Sequence, residues 1–157
     1  MSVNHFDQAS RYGAKLNAGA FTTWLLGGLP PGLAFRGWLD TRTIPFPGDP
    51  DRICDTVAAL FQAGAAPSWW AMPIEFQAQP DGEMFGRELE YLGRLWRELR
   101  PPEKSAGRYL VGAVVINLTG RGHTSRDMVM VGTNLRTCLQ VIERNLQRES
   151  EVFRFDD

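Results

Sequence analysis

Residues 108–118 constrain the fold more than any other stretch of this 157-residue chain. Val111, Val114, Val115 and Ile116 make a nearly continuous apolar run of strand length, which fits a strand covered on both faces. Such a strand needs a layer of structure above and below it, so the run predicts a central place in a sheet packed by helices. One helix is plain. Phe85, Leu89, Leu92, Trp96 and Leu99 step by four, three, four and three, which predicts an amphipathic helix over 83–100 ended by Pro101 and Pro102. On its outer face Glu83 precedes Arg87 and Glu90 precedes Arg94 in the favourable i,i+4 order. Phe6, Ala9, Gly13, Leu16, Ala20 and Trp24 recur at similar steps and predict a helix or helix pair over 4–26. Gly19 is its expected interruption, Asn4 its N-cap, and Asp7 suits the positive end of the dipole.

Strands are expected at 34–44, 53–61 and 69–77. The prolines, Asp and Gly of 45–51 predict a loop without regular structure. Pro73 cannot donate to a ladder and predicts irregularity, an edge or a bulge. Residues 120–127 read as a glycine-broken loop in which His123 is an ordinary loop residue, and 135–146 fits either a strand or a helix. The order of helix, three strands, helix and strand predicts an α/β or α+β fold, with helices packed on a mixed sheet. A single domain is expected over 1–157, with its core at about 4–119 and a C-terminal extension over 120–157.

Composition narrows the function classes. The chain is 43% apolar and 22% charged, as in ordinary globular proteins, and its net charge of −1 supplies no global basic field, so nucleic-acid binding would need a local patch. Cys54 and Cys138 are too few for a disulfide framework and lack CxxC spacing, which argues against a zinc site and fits a reducing cytoplasm. The first seven residues show no signal-peptide pattern, and Gly27, Gly28, Pro30 and Pro31 break the apolar stretch 20–35, so no membrane association is expected. G-x-S-x-G, H-E-x-x-H and P-loop motifs are lacking, and no organic cofactor is expected. Trp69 and Trp70 read as core or subunit-interface aromatics.

The chemistry-bearing candidates lie on the expected hairpin. A turn around residues 64–67 with the register centred near Ala65 sets Asp55 opposite Glu75, where directly opposed Cβ atoms are roughly 4.5–5.5 Å apart. Two carboxylates at that separation repel and call for a cation, a shifted pKa or a basic partner; a hard divalent ion is the economical answer. Period-two alternation puts Gln77 on the same face as Glu75, with Ile74 and Phe76 on the other.

Asp55, then Glu75 and Gln77 on the next strand, then a helix with Arg87 and Tyr91 four residues apart, resembles the PD-(D/E)XK nuclease superfamily. More narrowly, it resembles the Rpn-type recombination-promoting nuclease and putative transposase group. Phe6 to Ala9, Arg52 to Val57, Ile74 to Gln77 and Arg87 to Leu92 carry the likeness, over roughly 5–119. It implies a restriction-endonuclease-like mixed central sheet flanked by helices and a Mg2+- or Mn2+-dependent endonuclease hydrolysing DNA phosphodiesters. By the same resemblance Asp55 and Glu75 would bind the metal. Gln77 stands where the superfamily most often has lysine, although members of the Rpn-like group also have glutamine there. Asp7 corresponds to a first-helix acid found in parts of the superfamily. Arg87 and Arg94, a heptad apart, are candidates for phosphate contacts, with Arg97 and Arg100 nearby. A homodimer is one arrangement consistent with this reading. The alternatives are a catalytically silent module of the same fold that binds DNA or a protein partner, and a purely structural or oligomerising domain.

Overall fold

The computed structural model describes residues 5–27, 31–46, 49–54, 56–78, 81–103, 107–118, 128–129, 136–137 and 141–145, with side chains over 8–27, 31–44, 54, 56–78, 81–103 and 107–118. Among these residues the fold is mixed α/β, with three helices on an open mixed sheet. Helices α1 (His5–Leu16) and α2 (Ala18–Leu25) come first, followed by β1 (Leu33–Trp38), β2 (Pro45–Phe46), β3 (Asp49–Ile53), β4 (Val57–Gln62) and β5 (Ser68–Gln77). Then come α3 (Met84–Glu98), β6 (Leu110–Val111), β7 (Ala113–Asn117), β8 (Met128–Val129), β9 (Arg136–Thr137) and β10 (Val141–Asn145). The main sheet runs β1-β4-β5-β7-β10, with β6 also beside β5. Its β1, β4 and β5 pair antiparallel, and β5, β7 and β10 pair parallel.

The apolar run at 111–116 is central, as its composition demands. All five residues of β7 are buried, and the strand lies between β5 and β10. It is interrupted at Gly112, and the cause sits across the ladder. Ile74 donates its N–H towards β4, to Thr56 O at 2.9 Å, so strand alternation aims the nitrogen of Pro73 at the opposite neighbour, where proline has no hydrogen to give. The parallel ladder pairs Ala71 with Val111 and resumes at Ile74 with Val114. The irregularity expected at Pro73 is therefore a gap in a central strand rather than an edge.

Side-chain alternation sorts the sheet into two cores. Ala58, Leu60, Met72, Ile74, Phe76, Val114 and Ile116 pack with Ala14 of α1 and Leu25 of α2. On the other face Val57, Ala71 and Ala113 pack with Tyr91, Leu92 and Leu95 of α3. The β5-α3-β7 unit is a parallel crossover, so the carboxyl ends of β5 and β7 share one edge, reached from the start of α3.

Several expectations change. The first helix breaks at Asn17, not Gly19, because the Asn17 side chain caps α2 by accepting from Ala20 N at 3.2 Å. Strand β1 stops at Trp38, short of residue 44, and the region expected as a loop contains the antiparallel β2-β3 pair. The strand expected over 53–61 is divided, since β3 ends at Ile53 and β4 begins at Val57. The inward face of α3 is Met84, Glu88, Tyr91, Leu92 and Leu95, rotated from the expected stripe. Trp96 remains about half exposed under Arg108, whose guanidinium lies 4.8 Å from the ring centroid. Residues 136–137 and 141–145, ambiguous in sequence, are strands, and β10 pairs parallel with β7.

Candidate functional site

The hairpin that carries the candidate acids has the expected register. Val57 faces Pro73 and Gln62 faces Ser68, which centres the pair on Ala65. Asp55 itself lies outside the described residues, as do His123, Cys138 and Asn4. Its neighbours are held closely. Leu39 N donates to Val57 O at 2.8 Å, and the Thr41 hydroxyl donates to Cys54 O, so the segment after β1 clamps the chain just before β4.

Glu75 is 1% exposed, and Gln77 7%. Both belong to the α3 face of β5 by alternation from Ala71. Across the ladder Gln77 is the register partner of Asn117, and its Nε2 donates to Asn117 Oδ1. That contact orients the amide and leaves Oε1 buried with no hydrogen-bond partner among the described residues. Buried polar atoms are nearly always satisfied by protein, water or an ion, so this oxygen marks a place where something polar belongs.

A second buried acid comes from above. Glu88 of α3 has no exposed surface and occupies a core-facing position between Met84, four residues before it, and Leu92, four residues after. Glu75 and Glu88 both act on the Cys54 thiol and the Tyr91 hydroxyl, so the four groups form one buried polar cluster. Burial pushes the Cys54 thiol well above its ordinary value; the Glu75 carboxylate adds to the rise, the Thr56 backbone opposes it, and Glu88 adds further. The Tyr91 hydroxyl is likewise raised, first by burial and then by the charges around it, with Thr41 opposing. Both groups, neutral at pH 7 even at their ordinary values, are thereby kept neutral further into the alkaline range.

The arginines divide. Arg87 pairs with Asp81 rather than with the expected Glu83, since Asp81 precedes the first turn of α3 and also accepts from Glu83 N at 2.9 Å. Its Nε is buried without a hydrogen-bond partner among the described residues. Arg94 pairs with Glu90 at 3.4 Å, as the i,i+4 spacing predicts. Arg97 pairs with Glu98, and Arg100 donates to the carbonyls of Arg97 and Leu99, so it caps α3. Asp7 lies in α1, which packs on the sheet face opposite Glu75 and Gln77; its side chain is outside the described set. Trp69 meets the rings of Phe61 and Tyr109 and donates to Glu103 at 3.2 Å, the core role expected of it.

The chain matches no protein-family model, and no curated protein or solved structure is significantly similar to it. What the site can do must therefore follow from its own donors. Among the described residues no three His, Cys, Asp or Glu side chains stand as a ready ligand group, so a cation here would also draw on an amide oxygen or on Asp55. Glu75 with the Gln77 oxygen is a hard, oxygen-only donor set, the kind that suits Mg2+ or Mn2+. No helix among the described residues is long and apolar enough to cross a membrane.

Sequence reading missed Glu88. Met84, Glu88, Tyr91, Leu92 and Leu95 form a stripe as regular as the one chosen, interrupted by a single charge, and that interruption was the available signal. Asn117 carried no such signal, because its role depends on the parallel β5-β7 register.

Proposed function

We propose that this chain is a divalent-cation-dependent phosphodiester hydrolase acting on DNA, with a restriction-endonuclease-like arrangement of the kind seen in recombination-promoting nucleases. The observation that carries the reading is Glu75, fully buried near the carboxyl end of a central strand, with a buried amide oxygen two residues on. The hairpin register is centred on Ala65, and its continuation by two residues would set Asp55 opposite Glu75. Asp55 and Glu75 would hold Mg2+ or Mn2+, and Gln77 Oε1 would add a neutral ligand. When bound, such an ion lowers the pKa of a coordinated water and polarises a phosphoryl oxygen.

The remaining work falls to the chain. Asn117 fixes the Gln77 amide, which can orient a water by hydrogen bonding and cannot take its proton. Arg87 is partly exposed and could meet a phosphate oxygen through its outer guanidinium edge, although its Nη2 is held by Asp81 and its Nε is buried. Arg94 is the weaker phosphate candidate, since Glu90 already engages it. Asp7 belongs to α1, the helix whose Ala14 packs on the opposite face of the sheet. A homodimer would present two such sites to one duplex.

Purified protein should nick or cut plasmid DNA with Mg2+ or Mn2+, and Asp55→Ala or Glu75→Ala should abolish the activity. Absence of cleavage together with absence of metal binding would end the reading. The second reading, a silent DNA- or protein-binding module, is favoured by the neutral, hydrogen-bonded Gln77. Its mark is salt-dependent DNA binding that EDTA leaves unchanged.

A further inference from the structure

We propose that residues 152–155 of this chain dock, within the same molecule, into the apolar pocket that α1 and α2 leave open against the carboxyl ends of β5 and β7. The proposal is independent of the cation site, whose residues belong to the other face of the sheet.

The pocket has a volume of about 200 Å3. Its lining is Ala14 of α1, Phe21 and Trp24 of α2, Phe76 of β5, Ile116 of β7 and Leu118, and among the described residues Ser10 is its one polar side chain. The walls are aromatic, since the Phe21 ring centroid lies 5.8 Å from that of Trp24 and 6.3 Å from that of Phe76. Phe21, Trp24 and Leu118 are only partly buried, so the space opens to the surface. Clefts for organic ligands usually run to about 300–1,000 Å3, and a smaller aromatic-walled space suits a protein side chain better.

Position, composition and charge name the occupant. Strand β10 ends at Asn145, the register partner of Asn117, so the chain leaves the sheet one strand from Ile116 and two from Phe76. Two strand spacings are roughly 10 Å, whereas the chain from Asn145 to Phe153 can span up to about 26–29 Å. Residues 146–157 lie outside the described residues, and Phe153 and Phe155 are the only Phe, Tyr or Trp residues that do. Two apart, they share one side of an extended segment, with Arg154 on the other. Glu149, Glu151, Asp156 and Asp157 outnumber Arg148 and Arg154 there, while Arg11 and Lys15 of α1 each follow a lining residue, Ser10 and Ala14.

The test is nuclear Overhauser spectroscopy on the full-length chain with labelled Ala, Ile and Leu methyls, as wild type and as the double variant Phe153→Ala, Phe155→Ala. Wild type should show contacts from the phenyl protons of Phe153 and Phe155 to the methyls of Ala14, Ile116 and Leu118. In the double variant those methyls should shift, while those of Leu92 and Leu95 on the α3 face stay in place. Added indole should then shift the pocket methyls at lower concentration in the double variant than in wild type. Wild type without the phenyl contacts overturns the proposal, as does an equal response to indole, which would mean an open pocket. A sample mixing labelled and unlabelled molecules reads the remaining case: contacts found only between molecules would make a second copy the occupant and overturn docking within one chain.

Discussion

Glu75→Gln should stabilise the metal-free protein and destabilise the metal-loaded one relative to wild type. The side chain is 1% exposed, so its carboxylate has given up nearly all its hydration, and Glu88 brings a second buried carboxyl group to the same cluster. Two like charges sharing one buried cluster repel by on the order of 2 kcal/mol at an effective dielectric of about 20. Glutamine keeps the volume and an acceptor oxygen while removing the charge. Replacing buried ions by neutral groups of similar size is often stabilising by about 1–4 kcal/mol. A net gain of about 1–3 kcal/mol is expected without metal, a rise of roughly 2–12 °C in midpoint for a chain this long. With Mg2+ or Mn2+ at a hundred times its dissociation constant, wild type gains about 2.7 kcal/mol by linkage and the variant gains nothing, so the order reverses or closes. Urea unfolding followed by the fluorescence of the five tryptophans reads both cases. A variant less stable than wild type by 2 kcal/mol or more in EDTA, with neither protein responding to metal, would refute the reasoning.

Three further outcomes are expected. Leu95→Ala should cost about 2–5 kcal/mol because Leu95 is fully buried under α3, whereas Trp96→Ala should cost roughly 1–2 kcal/mol, since Trp96 is half exposed and loses mainly its contact with Arg108; equal losses would mean α3 is rotated. Cys54 should resist iodoacetamide in the native state and react after unfolding, because it is buried and its thiol is held protonated; site-resolved mass spectrometry distinguishes it from Cys138. The Asp40 carboxyl should titrate at about 2, below the usual 3.8, because Arg42 donates to it at 2.6 and 2.9 Å. The sign is that of a depressed acid: the contact persists at neutral pH and is lost only as pH falls through the lowered value. Arg42→Ala should return the midpoint, read by NMR, to the ordinary carboxylate range.

Much of the fold was legible because local pattern and tertiary context agree. The apolar run at 111–116 had to be central, the hairpin around Ala65 had one register that buried Ile74 and Phe76 on one face, and Pro101 had to end α3. The misreadings arose where a tertiary contact outranks a local rule. Asn17 captures the helix break by capping α2, although Gly19 is the poorer helix former. Arg87 pairs with Asp81, ahead of the first turn of α3, in place of its i,i+4 partner. The stripe of α3 was misjudged because Trp96 weighs more than Glu88 on any hydropathy scale, yet the helix buries the glutamate and leaves the indole half in solvent. For the site, the face shared by Glu75 and Gln77 followed from strand alternation alone. The Asn117 contact required the parallel register of β5 and β7, which a crossover through α3 creates and no short window contains.

The central claim is that the buried Glu75, together with Asp55, holds a divalent cation, and anomalous diffraction from a crystal soaked in Mn2+ tests it most directly. The account expects a manganese peak within coordinating distance of Asp55 and Glu75, with the Gln77 oxygen facing it. A map with no peak there, or a peak confined to surface carboxylates such as Glu90 and Glu98, would contradict it.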